Sequence, residues 1–138
     1  MKLTPEIIKK ILNGIKGDFI SETHLKAEIY SIFRSKPFNL TPDQIRLEEP
    51  YITYRHLKCD IFIQGDPNIW IEVKTYLKTE TPQTRAKKHT GPKSSPLKDC
   101  ATLSKLPEGD TKMLVIYTNI EYAPKGKFSW ESIQKACD

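Results

Sequence analysis

The run Cys59-Asp60-Ile61-Phe62-Ile63-Gln64-Gly65-Asp66-Pro67-Asn68-Ile69-Trp70-Ile71-Glu72-Val73-Lys74 leaves the chain little choice of local structure. Gly65-Asp66-Pro67-Asn68 is a cluster of turn formers between two segments rich in Ile, Val, Phe and Trp, so the whole reads as a β-hairpin. With Gln64 and Asn68 closing the turn, antiparallel register sets Asp60 opposite Glu72. Successive strand side chains alternate faces, which puts Cys59, Ile61, Ile63, Ile69, Ile71 and Val73 on one side and Asp60, Glu72 and Lys74 on the other. One face is a core face, and the other holds two carboxylates and an ammonium.

Residues directly opposite each other on one sheet face have Cβ atoms about 4.5–5.5 Å apart, so two carboxylates there repel unless a cation sits between them. Oxygen ligands suit the hard ion Mg²⁺, with Mn²⁺ as a substitute; Mg²⁺ takes one or two carboxylates and completes its shell with waters and phosphate oxygens. Such an ion polarises a phosphate and acidifies a bound water, and Lys74 is placed to orient that water or to neutralise developing charge. An Asp followed by Glu-x-Lys also fits a solvated strand face. The apolar strands around each charge, the short turn and the flanking elements favour the metal-binding alternative.

Those flanking elements are readable. Ser21 is a good N-cap for a helix in which Leu25, Ile29, Ile32 and Phe33 recur at helical spacing. Pro96 to Leu106 opens with Pro in its first turn and spaces Leu97, Cys100, Ala101 and Leu103 as an amphipathic helix. Thr111 to Asn119 reads as a buried strand, and Ile45-Arg46-Leu47-Glu48 follows a turn at Thr41-Pro42-Asp43-Gln44, with Glu48 and Glu49 on a strand edge where a second-metal role is open to them.

With Asp60 before the turn and Glu72-Val73-Lys74 after it, the chain resembles the PD-(D/E)XK nuclease superfamily, and the resemblance extends over most of its length. It implies an α/β restriction-endonuclease-like core: helix, strand, strand, helix, strand, with a mixed central sheet flanked by helices. It further implies that Asp60, Glu72 and the carbonyl of Val73 hold Mg²⁺, that Glu22 on the first helix holds a bound water or a second ion, and that Lys74 assists the attacking hydroxide. Two features depart from the pattern. Cys59 stands where Pro is common before the Asp, and the Gln-x-x-x-Tyr signature of the exonuclease branch is missing from the second helix, where Lys98 stands instead, in reach of a phosphate.

A chain of 138 residues fits one domain over 1–138. No secretory signal or long apolar run is present, so a soluble, cytoplasmic protein with no membrane partner is expected. Cys59, Cys100 and Cys137 are odd in number and lack close metal spacing, which predicts reduced thiols and no structural zinc. His24, His56 and His89 form no ligand pattern. The net charge of +5 favours an anionic partner. Its basic excess gathers in 78–95, a segment without apolar periodicity that is expected to be a mobile basic loop. The loop is either a solvated insertion or a strap over a nucleic-acid backbone, with Lys78, Arg85, Lys87, Lys88 and Lys93, together with Lys98, as phosphate contacts. Its place directly after Lys74 favours the strap.

Thr4 to Gly14 is a short capped helix that either packs on the core or mediates dimerisation. Ser129 to Ile133 is expected to be a terminal helix with Trp130 in a packing role. The expected activity is that of a Mg²⁺-dependent endonuclease on double-stranded DNA, acting as a homodimer because so small a core cannot surround a duplex. The alternatives are a Holliday-junction or other structure-selective resolvase and a non-catalytic nucleic-acid-binding module.

Overall fold

A computed structural model describes residues 3–52, 56–91, 95–121 and 129–137, with residues 136 and 137 described by backbone alone. Five helices and a four-stranded mixed sheet form an α/β fold among them. In chain order these are α1 (Pro5–Asn13), α2 (Glu22–Arg34), β1 (Ile45–Pro50), β2 (Lys58–Ile63), β3 (Ile69–Tyr76), α3 (Pro82–Thr90), α4 (Pro96–Leu103), β4 (Thr111–Thr118) and α5 (Trp130–Cys137). The strands lie side by side in sequence order. β1, β2 and β3 are antiparallel neighbours, and β4 joins β3 in parallel after the α3–α4 crossover.

The expected hairpin is formed in the expected register. Ile61 faces Ile71, Phe62 faces Trp70 and Ile63 faces Ile69; beyond that ladder the Asp60 and Glu72 side chains meet, with Val73 N donating to Asp60. In the turn, Gly65 N donates to Asn68 Oδ1 at 3.0 Å. Ile61, Ile63, Ile69, Ile71 and Val73 build one core with Ile8 of α1 and Leu25, Ile29 and Phe33 of α2. Burying a side chain of this size contributes about 1.5–3 kcal/mol, so α2 is pinned to the sheet by its own periodicity. Helix α1 likewise takes the core-packing option through Ile8. Phe62 and Trp70 build a second core with Tyr51, Leu103 and Leu106. Cys59 belongs to this second cluster rather than to the first, with its thiol donating to the carbonyls of Ile61 and Ile71 at 3.4 and 3.2 Å.

Three expectations are corrected. The stretch 78–95 is not a loop throughout, because Pro82–Thr90 is helical, capped by Thr81 Oγ1 on Thr84 N at 3.1 Å. Its inward face carries a buried polar residue, His89, which meets the Tyr76 hydroxyl at 3.1 Å and the edge of Trp130, so an apolar-periodicity search passes over it. Strand β4 is half-buried along most of its length rather than buried, since it is an edge strand with β3 as its sheet neighbour. Cys100 is disulfide-bonded and Cys59 is a free thiol. An odd cysteine count rules out complete pairing but permits one bridge, so the cysteines no longer point to a reducing compartment. No helix of the described residues is long and apolar enough to cross a membrane.

Candidate active site

The ends of α2, β2, β3 and α4 bring four carboxylates together. Ser21 caps α2 by accepting from His24 N at 3.1 Å, which puts Glu22 in the first turn, where the helix dipole favours an acid. One turn later Lys26 lies on the same helix face. Asp60 and Glu72 come from the paired strands, and Asp99 comes from the first turn of α4, which Ser95 caps through Lys98 N at 3.3 Å.

Both oxygens of Asp60 are committed. Oδ2 accepts from Val73 N at 2.7 Å, and Oδ1 pairs with Lys26 Nζ at 2.7 Å. Lys26 also stands 3.6 Å from Glu22 and 3.7 Å from Glu48. Burial pulls the Lys26 ammonium down, but the hydrogen bond and charge of Asp60, with Glu22 and Glu48 behind it, outweigh burial and hold it above the ordinary lysine range. Glu48 reaches this position from a left-handed backbone, φ 55°, inside β1, a conformation uncommon for a residue with a Cβ.

Glu72 accepts a short hydrogen bond from the Tyr51 hydroxyl and lies in hydrogen-bond contact with Asp60. Burial lifts its carboxyl far above the carboxylate range; the charge of Asp60 adds to the rise and the Tyr51 O–H opposes it. Glu72 therefore keeps a proton near neutral pH. Burial also pushes the Tyr51 hydroxyl upward, so it stays a donor. The Cys59 thiol is pushed up to about 12 by burial and by Glu72, which leaves no thiolate nucleophile here.

Lys74 pairs with Asp99 at 3.3 Å, both side chains being largely buried. The pairing is through Asp99 Oδ2, an oxygen with no other partner among the described residues. Burial raises Asp99 to about 6 against the pull of Lys74, with Asp60 and Glu22 adding to the rise.

Of the residues expected at the site, Glu22, Asp60, Glu72, Val73 and Lys74 converge. The expected phosphate contacts divide. Lys88 turns inward, donating to Thr75 O at 2.6 Å and Glu80 Oε2 at 2.9 Å and standing 3.7 Å from Glu22. Arg85 donates to the carbonyls of Leu77 and Glu80 and so ties α3 to the end of β3. Lys98 reaches Thr102 Oγ1 at 3.0 Å. Lys78 and Lys87 are exposed, the former 3.0 Å from Asp18, and Lys93 lies outside the described residues. Lys26, Tyr51 and Asp99 were missed from the sequence. The i,i+4 spacing of Glu22 and Lys26 was the one available signal for the first of them.

No three His, Cys, Asp or Glu side chains among the described residues form a ready metal shell. Asp60 and Glu72 nevertheless fit a hard divalent ion, which needs only one or two carboxylates. They are in contact, Asp60 buried and Glu72 half-buried, and Glu72 keeps a proton rather than set a second negative charge beside Asp60. The apolar groove of about 870 Å³ along β4, α1 and α5 is lined by none of these groups, and the carboxylate cluster, having perturbed acids and a lysine, is the stronger site. No family model, curated protein or solved structure matches the chain.

Proposed function

We propose that the chain is a metal-dependent nuclease with a restriction-endonuclease-like core of the PD-(D/E)XK kind, hydrolysing phosphodiester bonds, most readily in DNA. The observation that supports this best is the contact of Asp60 and Glu72 across a hairpin, with Lys74 two residues on and paired with the largely buried Asp99.

In this reading Asp60, Glu72 and the Val73 carbonyl hold Mg²⁺ or Mn²⁺. When bound, the ion supplies charge for the scissile phosphate and a water acidic enough to attack it. Glu72 gives up its proton to become a ligand. Lys74 presents a cation where negative charge grows on phosphate, and Asp99 fixes that ammonium on the sheet face. Glu22, held between Lys26 and Lys88, supplies an outer acceptor. Lys78 and Lys87 offer charge to the nucleic-acid backbone, and a homodimer would provide one site for each strand of a duplex.

A non-catalytic nucleic-acid-binding module is the second reading, favoured by Lys26 on Asp60, because an ammonium there already neutralises the carboxylate. The deciding experiment incubates the purified chain with supercoiled plasmid, linear duplex, single strands, RNA and a four-way junction in Mg²⁺, Mn²⁺ or EDTA, beside Lys74→Ala. Metal-dependent cutting lost in Lys74→Ala is the expected result. Cutting that survives Lys74→Ala refutes the assignment, and binding without cutting selects the module.

A further inference from the structure

Lys26 is the group at the carboxylates that a metal-binding reading does not use. Its Nζ lies 2.7 Å from Asp60 Oδ1, and Val73 N already takes Oδ2. Each carboxylate oxygen keeps a second lone pair, but a divalent ion bonded to either oxygen of Asp60 would stand within a few ångströms of the ammonium on Oδ1 and repel it strongly. The ammonium has a place to go. Glu22 lies 3.6 Å and Glu48 3.7 Å away, and a four-carbon stem turns through such a distance by rotamer change. The left-handed φ of Glu48 is a local strain of about 1–2 kcal/mol, and it serves to bring that carboxylate to the lysine.

Resting on the metal-dependent reading above, we propose that Lys26 is the resident counter-ion of the site, displaced from Asp60 by an incoming divalent metal and received by Glu22 and Glu48. The lysine thereby weakens metal binding and keeps the carboxylates neutralised between loadings. It is a positioning residue, not a ligand.

The test is calorimetric titration of the full chain with Mn²⁺ at fixed pH, for wild type, Lys26→Met, Lys26→Arg and Asp60→Asn. Removing the competing charge in Lys26→Met is expected to tighten Mn²⁺ binding on the order of tenfold or more, Lys26→Arg to bind at or below the wild-type affinity, and Asp60→Asn to abolish binding. Lys26→Gln gives the same readout with a second neutral side chain if the Met protein does not fold. Binding by both neutral variants that is no tighter than wild type, while Asp60→Asn still abolishes it, overturns the role of Lys26 and leaves the metal site standing. Failure of every protein to bind Mn²⁺ through Asp60 overturns the metal reading itself, and this inference with it.

Discussion

Replacing Asp99 by Asn separates the electrostatics of the site from its packing. Asp99 rises from the ordinary 3.8 to about 6 because burial, with Asp60 and Glu22 nearby, outweighs the attraction of Lys74. The folded chain thus binds this proton more tightly than the unfolded chain does. Its contribution to stability is complete below about pH 4 and is lost as pH climbs through about 6. A rise of about two pH units corresponds to about 3 kcal/mol. That is an upper figure, since the side chain of Asp99 keeps 17% of its exposure. Asn has the same shape and no proton to lose, so Asp99→Asn removes this slope. It also exchanges the carboxyl acceptor of Lys74 for an amide oxygen, a pH-independent offset of about 1–3 kcal/mol, while the lost charge attraction is already contained in the slope because Lys74 opposes the rise. Urea unfolding of both proteins in EDTA, at half-unit steps from pH 4 to 7, measures the two effects separately. The difference between the two stability curves should change by roughly 2–3 kcal/mol across the window, with wild type losing ground as pH rises. Two parallel curves would show that Asp99 carries no strained charge and would refute the electrostatic account of the site.

Ile71→Ala, at a position with no exposure in the first core, should cost about 2–5 kcal/mol; thermal unfolding that moves by less than a degree or two would contradict the two-faced sheet. Because Glu72 must shed its proton to become a ligand, Mn²⁺ binding should release a proton near neutral pH and tighten as pH rises. Calorimetry in buffers of different ionisation enthalpy reads that release, and identical heats in all buffers would show Glu72 to be already ionised.

What the sequence disclosed was set by short-range rules. The hairpin register followed from one turn cluster and alternation, which hold from Ile61 to Ile71 and fail at Cys59, so Asp60 and Glu72 could be brought together without coordinates. Helix α2 followed from Ser21 and from the Leu25–Ile29–Phe33 stripe. Tyr51 and Asp99 were hidden because each meets its partner across a long sequence separation, through the packing of one element on another. Lys88 was misjudged for a related reason. In a basic segment every lysine resembles a solvated one, and only the fold of α3 shows that this one reaches Thr75, Glu80 and Glu22. Helix α3 itself buries His89 rather than an aliphatic stripe, so a rule built on apolar periodicity had nothing to detect.

Glu22, Glu48, Asp60, Glu72, Glu80 and Asp99 gather around Lys26, Lys74 and Lys88, so the acids outnumber the bases. The proton kept on Glu72 relieves part of that excess. Buried charge arranged in this way gains little stability over apolar packing of the same volume, since desolvation offsets the attraction between partners. The sheet face beside it shows the alternative, with Phe62, Trp70 and Leu103 packed on one another a few residues away. A chain selected for stability alone would extend that packing over Glu72 and Lys74. Instead it gathers acids, one of them protonated and one, Asp99, raised by burial against its lysine partner, and such local violations of good packing are expected where a protein handles a ligand. An added divalent cation is the perturbation that relieves both the retained proton and the repulsion, and that ties the metal-dependent reading to the energetics of the fold as well as to the pattern of its residues.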